Sequence, residues 1–221
     1  MQKRIPLQNR VLPYYSTAEE LVNTISHGIG CLMGMIVLFL CITKAGTSLG
    51  RGAGLVYGSS MILLYGISAL YHSLRPGTGK KILQILDHCS IYLLIAGTYT
   101  PILLCVFVPA VPTVGWGLLA VQWGVSVIAI ILNAVDLKQY RFFSYTAYVL
   151  LGWAILPFWP LAITLISRQG MVYLLAGGIS YTLGVILYGI GSKLRWFHSI
   201  FHFFVLLGSL LHFIAVYQYV L

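Results

Sequence analysis

Charge is what this sequence lacks most. Asp, Glu, Lys and Arg make up 8% of 221 residues, against about a quarter in a soluble globular domain. That excludes a fold whose surface is covered by water. Acidic residues are the scarcest: there are four, against thirteen Lys and Arg. No polar stretch is long enough to make a separate soluble domain. Cysteine offers no framework either. Cys31, Cys41, Cys89 and Cys105 contain no CxxC pair and fall inside or at the ends of apolar segments, where they read as small buried hydrophobes. Internal repeats and low-complexity tracts are absent. The basic N-terminus lacks the apolar core of a cleavable signal peptide and runs into a polar segment with Pro13, Glu19 and Glu20. It reads as a mature cytoplasmic arm over residues 1–20, preceding one transmembrane domain within 1–221.

What is present is hydrophobic: 59% of residues, with a mean hydropathy of +0.92. Mainly apolar runs of roughly 18 to 25 residues qualify as membrane helices. Seven can be placed, at about 21–43, 53–74, 82–105, 113–135, 143–165, 171–192 and 197–220. The expected fold class is an all-α polytopic membrane protein, a seven-transmembrane-helix bundle. Pro109 and Pro112 divide the third run from the fourth. Pro101, Pro157 and Pro160 predict kinks, and Gly30-x3-Gly34 and Gly54-x3-Gly58 predict close helix approach.

The net charge of +9 therefore reads as a topology signal rather than a nucleic-acid footprint. Ten Lys and Arg fall on one side: Lys3, Arg4, Arg10, Arg75, Lys80, Lys81, Lys138, Arg141, Lys193 and Arg195. Lys44, Arg51 and Arg168 fall on the other. The N-terminus is expected in the cytoplasm and the C-terminus outside, in the cytoplasmic (inner) membrane.

That orientation gives the polar side chains a common depth. His72 ends the second helix, Asp87 and His88 open the third, His198 and His202 open the seventh, and Glu20, Asn23 and His27 open the first. Five of six histidines and three of four acidic residues thus meet in one layer, where ionisable groups are costly. His198 and His202, at i and i+4, lie about 6 Å apart on one helix face. With His72 they form a three-histidine set that leaves a fourth position open, as in catalytic zinc sites. Asp87 is placed to hold water and take its proton. Ser68, one turn before His72, is placed to donate to a developing oxyanion. Each residue alone has a plainer role: His72 as a packing group, Ser68 bonded to its own backbone, Asp87 as a helix cap. Glu20, Asn23 and His27 form an inward stripe that supports the site or ties helices together. His88 points about 100° from Asp87 and is expected outside the site; Glu19 is expected to be solvated. His212 lies about 15 Å deeper than His202.

Glu20-x2-Asn23-x3-His27, Ser68-x3-His72-Ser73, Leu86-Asp87-His88, Ala96-Gly97-Thr98-Tyr99-Thr100-Pro101 and His198-x3-His202, taken in order, resemble the hemolysin III branch of the progestin and adiponectin receptor (PAQR) family. That family is similar to a wider group of seven-helix metal-dependent hydrolases that includes alkaline ceramidases. The resemblance implies Zn2+ on His72, His198 and His202, with Asp87 acting through water and Ser68 nearby. It also implies a short-armed prokaryotic member. The expected function is zinc-dependent hydrolysis of a membrane lipid amide or ester, ceramide-like or acyl, in lipid homeostasis. The alternatives are a pore-forming cytolysin and a zinc-stabilised sensor without catalysis.

Overall fold

In lipid, backbone N–H and C=O groups must be satisfied within the chain, and a helix satisfies them locally. The computed structural model describes residues 6–191 and 194–221; Lys3, Arg4 and Lys193 of the charge count lie outside them. Seven helices long and apolar enough to cross a membrane follow one another: α1 (Thr17–Lys44), α2 (Ser48–Ser73), α3 (Thr78–Ala110), α4 (Pro112–Val135), α5 (Arg141–Ile166), α6 (Arg168–Ile190) and α7 (Phe197–Tyr219). No strand occurs among the described residues. This is a multi-pass membrane protein, as the hydropathy pattern predicts.

The first three helices begin before their apolar runs, at 17, 48 and 78 rather than 21, 53 and 82. The reason lies in polar first turns that hydropathy passes over. Ser16 and Glu19 form a reciprocal capping box at the start of α1, and Thr47 caps α2 by accepting from the Gly50 N–H. Glu19 also corrects an expectation. It is buried, at 5% exposure, because its second oxygen accepts the Trp196 backbone N–H at 2.7 Å. Trp196 is the N-cap of α7 and has φ 69°, so one carboxylate joins the starts of α1 and α7.

Glycine brings α1 and α2 together as their spacing predicts. A Cβ on Gly58 would lie 2.5 Å from Leu38 Cα, and one on Gly34 2.9 Å from the Ile62 backbone nitrogen; neither neighbour can give way. The prolines act where expected. After Pro101, α3 widens into a π turn over Leu103–Phe107. Helix α5 breaks after Gly152, passes through the 3-10 turn Leu156–Phe158 and resumes at Trp159–Ile166, with Pro160 in its first turn. α7 returns beside α1 and packs along α6. Tyr57, Met61, Tyr65, Leu103 and Phe107 fill the interior. Leu32, Phe39, Ile128 and Leu150 stand exposed on the outside, the ordinary surface of a protein in lipid.

Candidate metal centre

The last turn of α2 and the first two turns of α7 meet at the end of the bundle where α1 begins. There His198 Nε2 lies 3.2 Å from His72 Nε2 and 3.2 Å from His202 Nε2. All three rings are buried. They form the one group of three or more His, Cys, Asp or Glu side chains among the described residues with ligand atoms mutually within 4.8 Å.

The outer ring nitrogens decide which way the protons point. Glu20 Oε2 lies 2.6 Å from His72 Nδ1; a carboxylate accepts, so Nδ1 carries the proton and Nε2 presents a lone pair. Ser26 donates its own proton to the Asn23 carbonyl and lies 3.3 Å from His202 Nδ1. Its oxygen must therefore accept, and His202 Nε2 likewise presents a lone pair. His198 can donate to one of these nitrogens at most. Lone pairs facing one another in a buried pocket are unfavourable unless a cation lies between them. Tetrahedral zinc with nitrogen ligands at 2.0–2.1 Å would separate those nitrogens by about 3.3 Å, close to the distances here. The residues fit the metal.

Around the histidines the predicted stripe assembles. Asn23 Nδ2 is 3.4 Å from His72 Nδ1. His27 lies flat on His202 with centroids 3.6 Å apart, and among the described residues neither of its ring nitrogens has a hydrogen-bond partner. Asp87 and Ser68 are hydrogen-bonding neighbours and line one cavity with His27, His198 and His202. That cavity, of about 140 Å³, runs between α2, α3, α5, α6 and α7 as far as His212. His88 does not join the triad, but it lines the same cavity, with Nε2 3.1 Å from the Tyr188 hydroxyl. Its 100° offset from Asp87 turns it along the wall rather than out of the site.

Three contributors were not legible as such. Lys80, counted as a topology charge, is buried at 3% exposure; it donates to Glu20 Oε1 at 2.5 Å and to the Leu74 carbonyl at 2.9 Å. Ser26 fixes His202 as described. Tyr15, ahead of α1, stacks on His198 with centroids 4.7 Å apart, and burial raises its hydroxyl above the ordinary tyrosine value. The arm carrying it is held down by Lys81 donating to the Gln8 carbonyl and Arg10 to the Val135 carbonyl. A serine beside a histidine, or a tyrosine before a helix, is too common a pattern to single these out.

Known proteins carry the same chain pattern. The profile of the family described as "Haemolysin-III related" matches residues 15–213. The chain is 40% identical over 206 residues to Hemolysin-3 of Bacillus cereus, covering 92% of each chain. It is 39% identical over 209 residues to the Hemolysin-3 homolog of Bacillus subtilis (strain 168), covering 93% of this chain and 96% of the other. More distantly, it is 24% identical over 225 residues to the Adiponectin receptor protein of Drosophila melanogaster, covering 88% of this chain and 49% of that one. A family profile running from before α1 into α7, with two bacterial relatives near 40% identity over nearly their whole length, places the chain in one group: it belongs to the haemolysin-III-related membrane proteins, with adiponectin receptors as distant relatives.

Proposed function

We propose that this protein is a zinc-dependent lipid amide hydrolase of the cytoplasmic membrane, with the histidine end of the bundle facing the cytoplasm. One observation carries the reading: three imidazole Nε2 atoms converge at 3.2 Å steps, two of them presenting lone pairs, and His198 and His202 of this triad line a cavity that also holds Asp87 and Ser68. Zinc bound there would supply a Lewis acid with an open coordination position.

The chain's own residues supply the rest. Glu20 orients His72, and Ser26 orients His202, so the ligand nitrogens stay aimed inward. Asp87 accepts a proton from the attacking water and passes it to the leaving nitrogen, so that amide and water give acid and amine. Ser68 donates a hydrogen bond to the oxygen that gains charge. Apolar walls including Leu64, Ile91, Leu94 and Val205 hold an acyl chain and keep bulk water away. Val149 lines the cavity and is 37% exposed on the outer surface, so a lipid entering from the bilayer would pass beside it. The orientation is supported by Arg75, Lys81, Lys138, Arg141 and Arg195, all at the histidine end.

The test is zinc content and hydrolysis of a short-chain fluorescent ceramide by purified protein. Zinc at one per chain with turnover is expected for the wild type, and His202→Ala loses both while still inserting. Stoichiometric zinc without turnover of any membrane lipid favours the sensor. Metal-independent dye release from liposomes favours the cytolysin.

A further inference from the structure

Among the described residues, the polar groups at the far end of the main cavity are hydrogen-bonded within the fold except at one atom. Thr98 donates to the Leu94 carbonyl. Tyr99 donates to the Gly152 carbonyl and accepts from the Ile155 N–H. Trp153 donates to Thr182, whose hydroxyl donates to the Gly178 carbonyl. Tyr181 is paired with Ser209. These residues, placed among apolar ones, are satisfied within the fold, as buried polar groups must be.

His212 is the exception. Its Nδ1 lies 2.8 Å from the Gly208 carbonyl. A carbonyl only accepts, so Nδ1 carries the proton, and in the neutral ring Nε2 is an acceptor. Nε2 makes no hydrogen bond among the described residues. The ring cannot easily turn to find one: it is stacked on Tyr181 with centroids 5.2 Å apart and planes at 22°, and it packs directly against Gly177. His212 lines both the main cavity and a second one of about 30 Å³ beyond it, large enough for a hydroxyl group or one water.

Position gives this acceptor a meaning. His212 stands ten residues past His202 on α7, about 15 Å along the axis, roughly the reach of twelve carbons in an extended chain. We propose that His212 Nε2 is a second recognition point, accepting a hydrogen bond from a hydroxyl carried near the far end of an acyl chain whose polar head lies at the histidine triad. The inference rests on the reading of the cavity as an acyl-chain site and adds a ligand class: chains hydroxylated about twelve carbons from the head, rather than plain alkyl chains.

The experiment needs no turnover. Purified protein in detergent binds a fluorescent fatty acid, which is displaced by dodecanoate, 6-hydroxydodecanoate or 12-hydroxydodecanoate. A hydroxyl by itself disfavours entry into an apolar cavity, so the readout is the ratio of affinities. The wild type is expected to favour the 12-hydroxy over the 6-hydroxy acid by about fivefold to tenfold, the range of one neutral hydrogen bond. His212→Phe, which keeps a ring on Tyr181 but removes the acceptor, is expected to abolish that preference. Equal affinity for the two hydroxy acids in the wild type overturns the proposal without requiring any variant to fold, as does a preference that survives in His212→Phe. Failure of every acid to displace the probe overturns it together with the acyl-chain reading of the cavity. Discrimination without ceramide turnover upholds it while removing the hydrolase reading.

Discussion

Glu20 divides its carboxylate between two partners: Oε2 to His72 Nδ1 at 2.6 Å and Oε1 to Lys80 Nζ at 2.5 Å. The pairing with Lys80 balances a charge near the membrane interior, where an isolated carboxylate is costly, and fixes the plane in which Glu20 meets the imidazole. Lys80→Met therefore removes no ligand and yet loosens one. Zinc affinity, measured by chelator competition, is expected to fall about tenfold to a hundredfold, the usual cost of disturbing a ligand's hydrogen-bond partner. Lys80→Arg is expected to restore most of it. An affinity unchanged in Lys80→Met would mean that Glu20 orients His72 unaided. The contrast with the ligands shows what a sequence exposes at this scale. His72, His198 and His202 are legible because residue type, i and i+4 spacing and membrane depth coincide. Lys80 is hidden because its identity already has a sufficient reading as a topology charge. Only the turn between α2 and α3, anchored by its bond to the Leu74 carbonyl, brings it inward.

Helices show the same division between pattern and junction. Hydropathy registers apolar length, so all seven spans are legible, and so are the interruptions at Pro101 and Pro157, where the missing N–H and the ring sterics act locally. The starts of α1, α2 and α3 are not, because a polar first turn looks like loop to an apolar count. Glu19 is the clearest case. Beside a basic arm it reads as solvated, but its two oxygens serve Ser16 in the cap of α1 and Trp196 in the cap of α7. Since His198 follows Trp196 by two residues, this carboxylate helps set where α7 begins relative to α1. Glu19→Ala leaves the Trp196 N–H without its acceptor and removes half of the capping box. A loss of about 1–3 kcal/mol is expected, read as a lower unfolding temperature in detergent at saturating zinc. Stability equal to the wild type would show that water replaces the carboxylate at both helix ends.

At the scale of the whole molecule, the site has an aqueous side and a lipid side. Toward the aqueous end, the arm lies across the histidines, with Tyr15 stacked on His198 and Arg10 donating to the Val135 carbonyl. Val149 and Gly152 on α5 both line the cavity and are exposed on the outer surface, just before the break in α5 that Pro157 and Pro160 impose. Seven helices are countable from the sequence; the gap by which a lipid would reach the cavity is not, because no periodicity encodes how far α5 stands from its neighbours. If lipid enters there, bulk at the opening should slow entry without touching the metal. Val149→Trp is expected to lower the association rate of a fluorescent fatty acid with the protein in liposomes by about tenfold or more, with zinc content unchanged. Leu150→Trp is the matched control: Leu150 is 67% exposed and does not line the cavity, so the same indole one residue along should leave the rate alone. Equal slowing in both variants would indicate a general effect on the bilayer-facing surface. No slowing in either would move the entrance to the aqueous end, where Tyr15 would have to leave the face of His198 before any ligand could reach the cavity.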